Sequence, residues 1–422
     1  MLMASTVLLM EYHIMPLTRP LSRWSTAFIG VTFATLVACS PIQPQTAQMP
    51  GMAAESSTSG DTLAPLATAT DYVNRGLNAA SEGRFTQAIA DYTAALELDP
   101  ALATAYVNRG AAYYSLQQYE DAIADYDRAV ELVDDMPLAY TGRAQVYLAL
   151  GDAEQALADL SRALAINPDD ANIYVDRGQI FAELGENERA LAEYARALEL
   201  DPKNVNAYIH RARLYEVTEQ LDLALADYTK VIEFDPENAS AYNNRGNIYQ
   251  QQGNLELARA DYTKAIEIDP NLGSAYANRA RLEDPEASPE AAIADYTQVI
   301  ELDPENASAY NSRANAYRDM GNSVAAIDDY TKAIELDPKL TSAYTNRARL
   351  LSDQGDYEAA IADHTKVIEL DPTNASAYTN RGNTYRALAQ SDLALADYTQ
   401  AITLDPTLAS AYSSRARVYE GS

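Results

Sequence analysis

From residue 69 onward the chain repeats one pattern of large, small and polar positions. Tyrosines at 72, 106, 140, 174, 208, 242, 276, 310, 344, 378 and 412 stand 34 residues apart. Counted from three residues before each tyrosine, ten repeats of 34 fill 69–408 and a half-repeat fills 409–422. Large side chains fall at slots 4, 11 and 24, and small ones at slots 8, 20 and 27. Steps of four and three place them on one face of a helix. Slot 20 is alanine in all ten full repeats and slot 8 is always Gly or Ala. Two helices can approach closely at those points while the bulky slots fill the gaps between them. Slot 15 is glycine in several repeats (Gly83, Gly151, Gly185, Gly253, Gly321, Gly355), a helix C-terminal signal. Slot 32 is proline in nine of ten, which stops a helix. Each repeat therefore predicts helix, short turn, helix, proline-marked turn.

Composition adds exclusions. The 422 residues include thirty tyrosines beside five phenylalanines and one tryptophan, and slots 4, 11 and 24 hold 26 of those tyrosines, so the bias is a repeat signature. A net charge of −30 argues against a nucleic-acid binder, whose footprint would be basic. One cysteine excludes a disulfide framework and any multi-cysteine metal site. His13, His210 and His364 lie far apart and leave little for metal or base catalysis. No G-x-S-x-G, H-E-x-x-H, P-loop or G-x-G-x-x-G occurs, and no unassigned stretch is long enough for a catalytic domain. No enzymatic activity, metal or cofactor is expected.

In repeat length and in slots 4, 8, 11, 20, 24, 27 and 32 the chain resembles the tetratricopeptide repeat. The resemblance implies an all-α, right-handed superhelical solenoid of antiparallel helix pairs, with first helices lining a concave groove. It also implies a scaffold for protein or peptide partners. Two repeats depart from the pattern. Repeat 2 ends Leu132-Val133-Asp134-Asp135 without its proline. Repeat 7 (273–306) carries Pro285 late in its first helix, which predicts a stop about a turn early. That stretch reads either as a frayed repeat or as a hinge or exposed loop.

Slot 7 is arginine in all eleven repeats, from Arg75 to Arg415, and slot 23 is aspartate in nine full repeats and Glu193 in the other. Half-buried charges need partners. The expectation is an Arg–carboxylate ladder between adjacent helices, helped by tyrosine hydroxyls; the alternative is a ligand-binding arginine stripe. By the resemblance, slots 2, 5, 6, 9, 12 and 13 line the groove. Slot 6 is asparagine at Asn74, Asn108, Asn244, Asn278, Asn346 and Asn380. An amide offers a donor and an acceptor to an extended peptide backbone, similar to the asparagine ladder of peptide-binding tetratricopeptide superhelices. Equally, asparagine is simply common at that slot. The lysines of the carboxylate clamp are missing from slots 2 and 5, so recognition of chaperone tails is not expected.

Early repeats place Val73, Leu77, Val107, Tyr114 and Leu148 in the groove, and later ones Arg213, Arg281, Arg318, Arg349, Arg386 and Arg417. A cationic C-terminal half suits acidic peptide segments or anionic polymers, unless these arginines are solvated or paired with Asp319, Asp353 or Glu420. Asn238, Asn306 and Asn374 each open an Asn-Ala-Ser triplet and read as helix N-caps. His364, in place of the slot 24 tyrosine, reads as a packed core residue. His210, at slot 6, offers a pH-sensitive contact in the groove.

Residues 24–38 form an apolar run of fifteen after Arg19 and Arg23, too short to span a membrane and suited to a signal-peptide core. The run ends Leu36-Val37-Ala38-Cys39, which resembles a bacterial lipobox. That resemblance implies a lipoprotein signal peptide over 1–38 and an acylated Cys39. It also implies a place in the cell envelope, at the periplasmic face of the outer membrane or at the cell surface, with membrane contact through the lipid only. Residues 1–14 fit a signal peptide poorly, so the true start is read as Met15. Residues 39–68 combine the lipidated cysteine with a disordered tether of roughly 30 Å reach. The expected function is a non-catalytic protein–protein interaction scaffold of the bacterial envelope, holding extended peptide or protein in its groove. The alternative is a glycan-binding accessory in polysaccharide export or wall synthesis. That role needs exposed aromatic platforms, and only Tyr114 stands out in the groove.

Overall fold

The computed structural model describes residues 68–282 and 289–420, and every regular element among them is an α-helix. First helices take slots 1–13 and second helices slots 17–30. The compact unit up to Leu150 contains α1 (Ala69–Ser81), α2 (Phe85–Leu98), α3 (Ala103–Ser115), α4 (Tyr119–Leu132) and α5 (Pro137–Ala149). The compact unit from Gly151 begins with α6 (Ala153–Ile166), α7 (Ala171–Glu183), α8 (Asn187–Leu200), α9 (Val205–Val217) and α10 (Leu221–Phe234). It continues with α11 (Ala239–Gln251), α12 (Leu255–Ile268), α13 (Gly273–Leu282), α14 (Pro289–Leu302), α15 (Ala307–Asp319) and α16 (Ser323–Leu336). It closes with α17 (Thr341–Asp353), α18 (Tyr357–Leu370), α19 (Ala375–Ala387), α20 (Ser391–Leu404) and α21 (Ala409–Glu420). This is the all-α solenoid of helix pairs that the sequence predicts. The early stop read at Pro285 falls outside the described residues, as do Cys39, the tether and the signal segment.

Local chemistry sets the helix ends. The side-chain oxygens of Asn238, Asn306 and Asn374 accept the N–H groups of Ala241, Ala309 and Ala377, each at 3.0 Å, so these asparagines are N-caps. Downstream of α2, α8, α12, α14, α16, α18 and α20 an aspartate at slot 31 accepts the N–H two residues on. Examples are Asp201 from Lys203 at 3.0 Å and Asp405 from Thr407 at 2.8 Å. Helix α4 stops at Leu132 although Asp134 replaces the proline, with Val133 extended at φ −143°. The slot 31 residue in extended conformation therefore ends the helix, and proline only reinforces the stop.

Between paired helices the small slots do what their size suggests. The slot 20 alanines, such as Ala88, Ala224 and Ala394, are fully buried, and the slot 24 tyrosines lie beside them. A Cβ on Gly246 would sit 2.7 Å from a ring carbon of Tyr262, so glycine at slot 8 lets the tyrosine ring lie against the first-helix backbone.

The three-residue turn inside each repeat needs a left-handed residue at slot 15, where Gly355 takes φ +84°. Gln117, Glu219 and Ala389 hold the same place at φ 60°, 59° and 58° without being glycine. A side chain there costs roughly 1–2 kcal/mol, partly offset by the greater freedom of glycine in the unfolded chain. Ala389→Gly should therefore raise stability by about 0.5–1 kcal/mol in urea titration, whereas unchanged or lowered stability would contradict the turn argument.

Candidate functional site

The slot 7 arginines resolve first. Arg109, Arg211, Arg245, Arg279, Arg313, Arg347 and Arg381 each grip the slot 23 aspartate of their own repeat through Nε and Nη2; for Arg313 both bonds to Asp329 measure 2.8–2.9 Å. In all of these but Arg211, where the preceding repeat has Ala195 at slot 25, the remaining Nη1 reaches back to the slot 25 threonine of the preceding repeat, as Arg347 does to Thr331 at 2.9 Å. Arg143 instead meets Asp127, which stands at that threonine's slot. Each guanidinium that makes both contacts ties three helices together. The tyrosines contribute their ring faces: Arg313 lies 5.6 Å from the centre of Tyr310 and 5.9 Å from that of Tyr317. The arginine ladder is structural.

A second polar system runs along the first helices and was not anticipated. The buried slot 24 tyrosines extend their hydroxyls to slot 9 asparagines: Tyr262 to Asn247 at 2.9 Å, Tyr330 to Asn315 at 2.7 Å and Tyr398 to Asn383 at 2.9 Å. The slot 6 asparagine of the next repeat donates to the same oxygen, Asn278 to Asn247 at 2.9 Å and Asn346 to Asn315 at 3.1 Å. Asn278 is buried and also donates to Asn243 at 3.0 Å, and Asn244 donates to the hydroxyl of Tyr228 at 3.4 Å. Asn74 is exposed, while Asn108 and Asn380 are half-buried. The sequence signal for this network was asparagine at slot 9 of repeats 6, 8 and 10.

Of the later arginines, Arg213, Arg281, Arg349, Arg386 and Arg417 are exposed. Arg318 is half-buried and bound to the neighbouring carboxylate of Asp319 at 2.8 Å. Burial pushes the Tyr330 phenol up while the Arg318 and Arg349 guanidiniums pull against it, so both cations stand near that hydroxyl. Tyr262 is pushed up to about 12 by burial, opposed by Arg281. The lysines of the second helices are committed elsewhere. Lys230, Lys264, Lys332 and Lys366 each pair with a glutamate three residues on. Tyr114 is half-buried, its ring 5.9 Å from that of Tyr119. Among the described residues no group of His, Cys, Asp and Glu is arranged to hold a metal ion.

Desolvation lowers both described histidines to about 4. His210 stacks on Tyr194 at 6.2 Å, and His364 is buried with Nδ1 unpartnered. Both are neutral at physiological pH, so a contact at His210 would switch only near pH 4. Because the folded values lie below the ordinary 6.5, their contribution to stability is present above pH 6.5 and lost as pH falls towards 4. His364→Tyr should flatten that part of the acid limb in a pH series of unfolding midpoints. An unaltered limb would show that His364 does not titrate there.

Profiles described as tetratricopeptide repeat match residues 141–205 and 329–362, and another matches 239–272, 307–340 and 375–408, which are repeats 6, 8 and 10. A further profile, described as TPR repeat, matches 79–117, 110–151, 218–253, 290–321 and 348–388. Among solved structures the chain is similar to YrrB, titled a TPR protein with an unusual peptide-binding site, at 25% identity, covering 45% of this chain and 97% of that one with TM-score 0.40. It is also similar to a tetratricopeptide repeat protein from Parabacteroides merdae ATCC 43184, at 24% identity over 59% of this chain and 98% of that one, TM-score 0.42. A third likeness is to TTC0263, a TPR protein of Thermus thermophilus, at 25% identity over 43% of this chain and 100% of that one, TM-score 0.39. No curated protein matches the chain.

Proposed function

Because the chain belongs to the tetratricopeptide repeat family, whose members are in general non-catalytic scaffolds for protein partners, we propose that it holds an extended peptide segment of a partner along its first helices. The observation that carries this reading is the sorting of polar groups. The slot 7 arginines of the full repeats and the second-helix lysines are consumed by intramolecular pairs, while Arg349, Arg386 and Arg417 stay exposed on the first helices. A row of exposed donors beside half-buried amides suits a chain laid across successive repeats. The half-buried Tyr114, packed beside Tyr119, is a poor platform for a sugar, which disfavours the glycan reading.

The reading places the scaffold in the bacterial cell envelope, tethered through acylated Cys39. Its support is the Leu36-Val37-Ala38-Cys39 sequence behind a basic flank and an apolar run. Two experiments test it. A photoreactive residue at Arg349 should trap a protein partner in intact cells, while one at Lys366 on the second-helix side should not; equal trapping at both would remove the groove from the account. A lipid precursor should label the wild-type chain and leave Cys39→Ala unlabelled, and label in both would remove the anchor.

A further inference from the structure

The later repeats carry a period of two that the 34-residue register conceals. Slot 9 alternates Arg213, Asn247, Arg281, Asn315, Arg349, Asn383, Arg417, so arginine returns every 68 residues. Where slot 9 is asparagine, slot 12 supplies the cation at Arg318 and Arg386, whereas repeat 6 has Gln250 there. From repeat 7 to the half-repeat there is therefore one such arginine per first helix: Arg281, Arg318, Arg349, Arg386, Arg417. They zigzag between two rows. Slots 9 and 12 lie three residues apart on one helix face, about 4.5 Å along its axis.

Four of the five stand beside slot 24 hydroxyls. Tyr296 and Tyr262 stand near Arg281, Tyr330 near Arg318 and Arg349, and Tyr398 near Arg386. Neighbouring first helices are in direct contact along this stretch. Asn346 of α17 bonds Asn315 of α15, and Ser352 of α17 lies 3.3 Å from Thr384 of α19. Among the described residues Arg281, Arg349, Arg386 and Arg417 form no ion pair, and Arg318 is steadied by Asp319 and Asn315.

Helices in contact lie about 8–10 Å apart, and an extended peptide advances about 3.3 Å per residue. At the wide end of that spacing one repeat matches three peptide residues. Three is odd, and in an extended strand side chains alternate sides, so residues three apart point to opposite sides. The arginine rows alternate sides at the same step.

We propose that repeats 7 to 11 bind an extended acidic peptide with a carboxylate at every third residue, each carboxylate meeting the arginine of one repeat. This deepens the scaffold reading and rests on it. The asparagines at slots 6 and 9, tied into the tyrosine network, hold the first helices in register beneath the peptide. The period of two repeats also offers the ligand equivalent seats 68 residues apart along the chain.

The test is fluorescence anisotropy on the full-length chain with labelled peptides of one composition. The first carries glutamate at every third residue, the second the same glutamates at every second residue, and the third glutamine in their place. The first should bind at least about tenfold more tightly than the second, and the third should bind weakest. Equal binding of the two acidic peptides overturns the register, and equal binding of the glutamine peptide overturns the charge. Failure of all three to bind counts against the peptide-scaffold reading itself. Arg349→Glu should lose binding and regain it with a peptide whose central glutamate is lysine. Loss without that rescue, in a variant whose unfolding midpoint is unchanged, also overturns the proposal.

Discussion

Arg347→Ala should destabilise the chain by about 3 kcal/mol, read by urea denaturation. Its guanidinium donates to both carboxylate oxygens of Asp363 at 2.7 and 2.8 Å and to Thr331 at 2.9 Å, and it rests 5.9 Å from the centre of Tyr344. Asp363 is only 5% exposed. Truncating the arginine leaves that carboxylate desolvated without its counterion, which costs more than the intact pair contributes. The loss should be local to α17, α18 and the preceding α16, because a repeat contacts only its neighbours. Pairing Arg347→Met with Asp363→Leu should recover much of the stability, since an apolar pair leaves no buried charge. A single-variant loss below about 1 kcal/mol would mean that the ladder is solvated.

Tyr330→Ala should cost about 3–5 kcal/mol, the range for deleting a large aromatic from a packed core. Tyr330 is fully buried and packs with Ala314, Ala326, Ala333, Ala343 and Leu350. Those small neighbours make the ring the main filler between α15, α16 and α17, and alanines cannot repack to close the gap. Tyr330→Phe separates shape from polarity. It removes the 2.7 Å bond to Asn315, but Asn315 retains the donors Asn346 at 3.1 Å and Arg318 at 3.3 Å. The expected cost is about 1 kcal/mol. If Phe cost as much as Ala, the hydroxyl network would carry the stability that is assigned here to packing.

Helix boundaries and the slot 7 to slot 23 ladder were legible in the sequence because both depend on residues repeated at a fixed step. Asn306, Asp337 and Gly355 each act within four residues of their own position, so their chemistry shows in the local string. The back-bond from Arg347 to Thr331 was not read, although threonine recurs at slot 25, because it links residues of different repeats. The same holds for Tyr330, Asn315 and Asn346, which belong to three helices. Slot 6 taken alone offered free amides. With the packing in place, Asn278 and Asn346 have donors engaged by neighbouring repeats. The zigzag of arginines escaped a slot-by-slot reading for another reason: averaging over all repeats erases a period of two.

Amide hydrogen exchange on the full-length chain, with and without the trapped partner's bound segment, tests the central claim most directly. Laying an extended peptide across the first helices should slow exchange in α15, α17 and α19 and leave the outer turns of α16, α18 and α20 unchanged. Slowing confined to the second helices would contradict it.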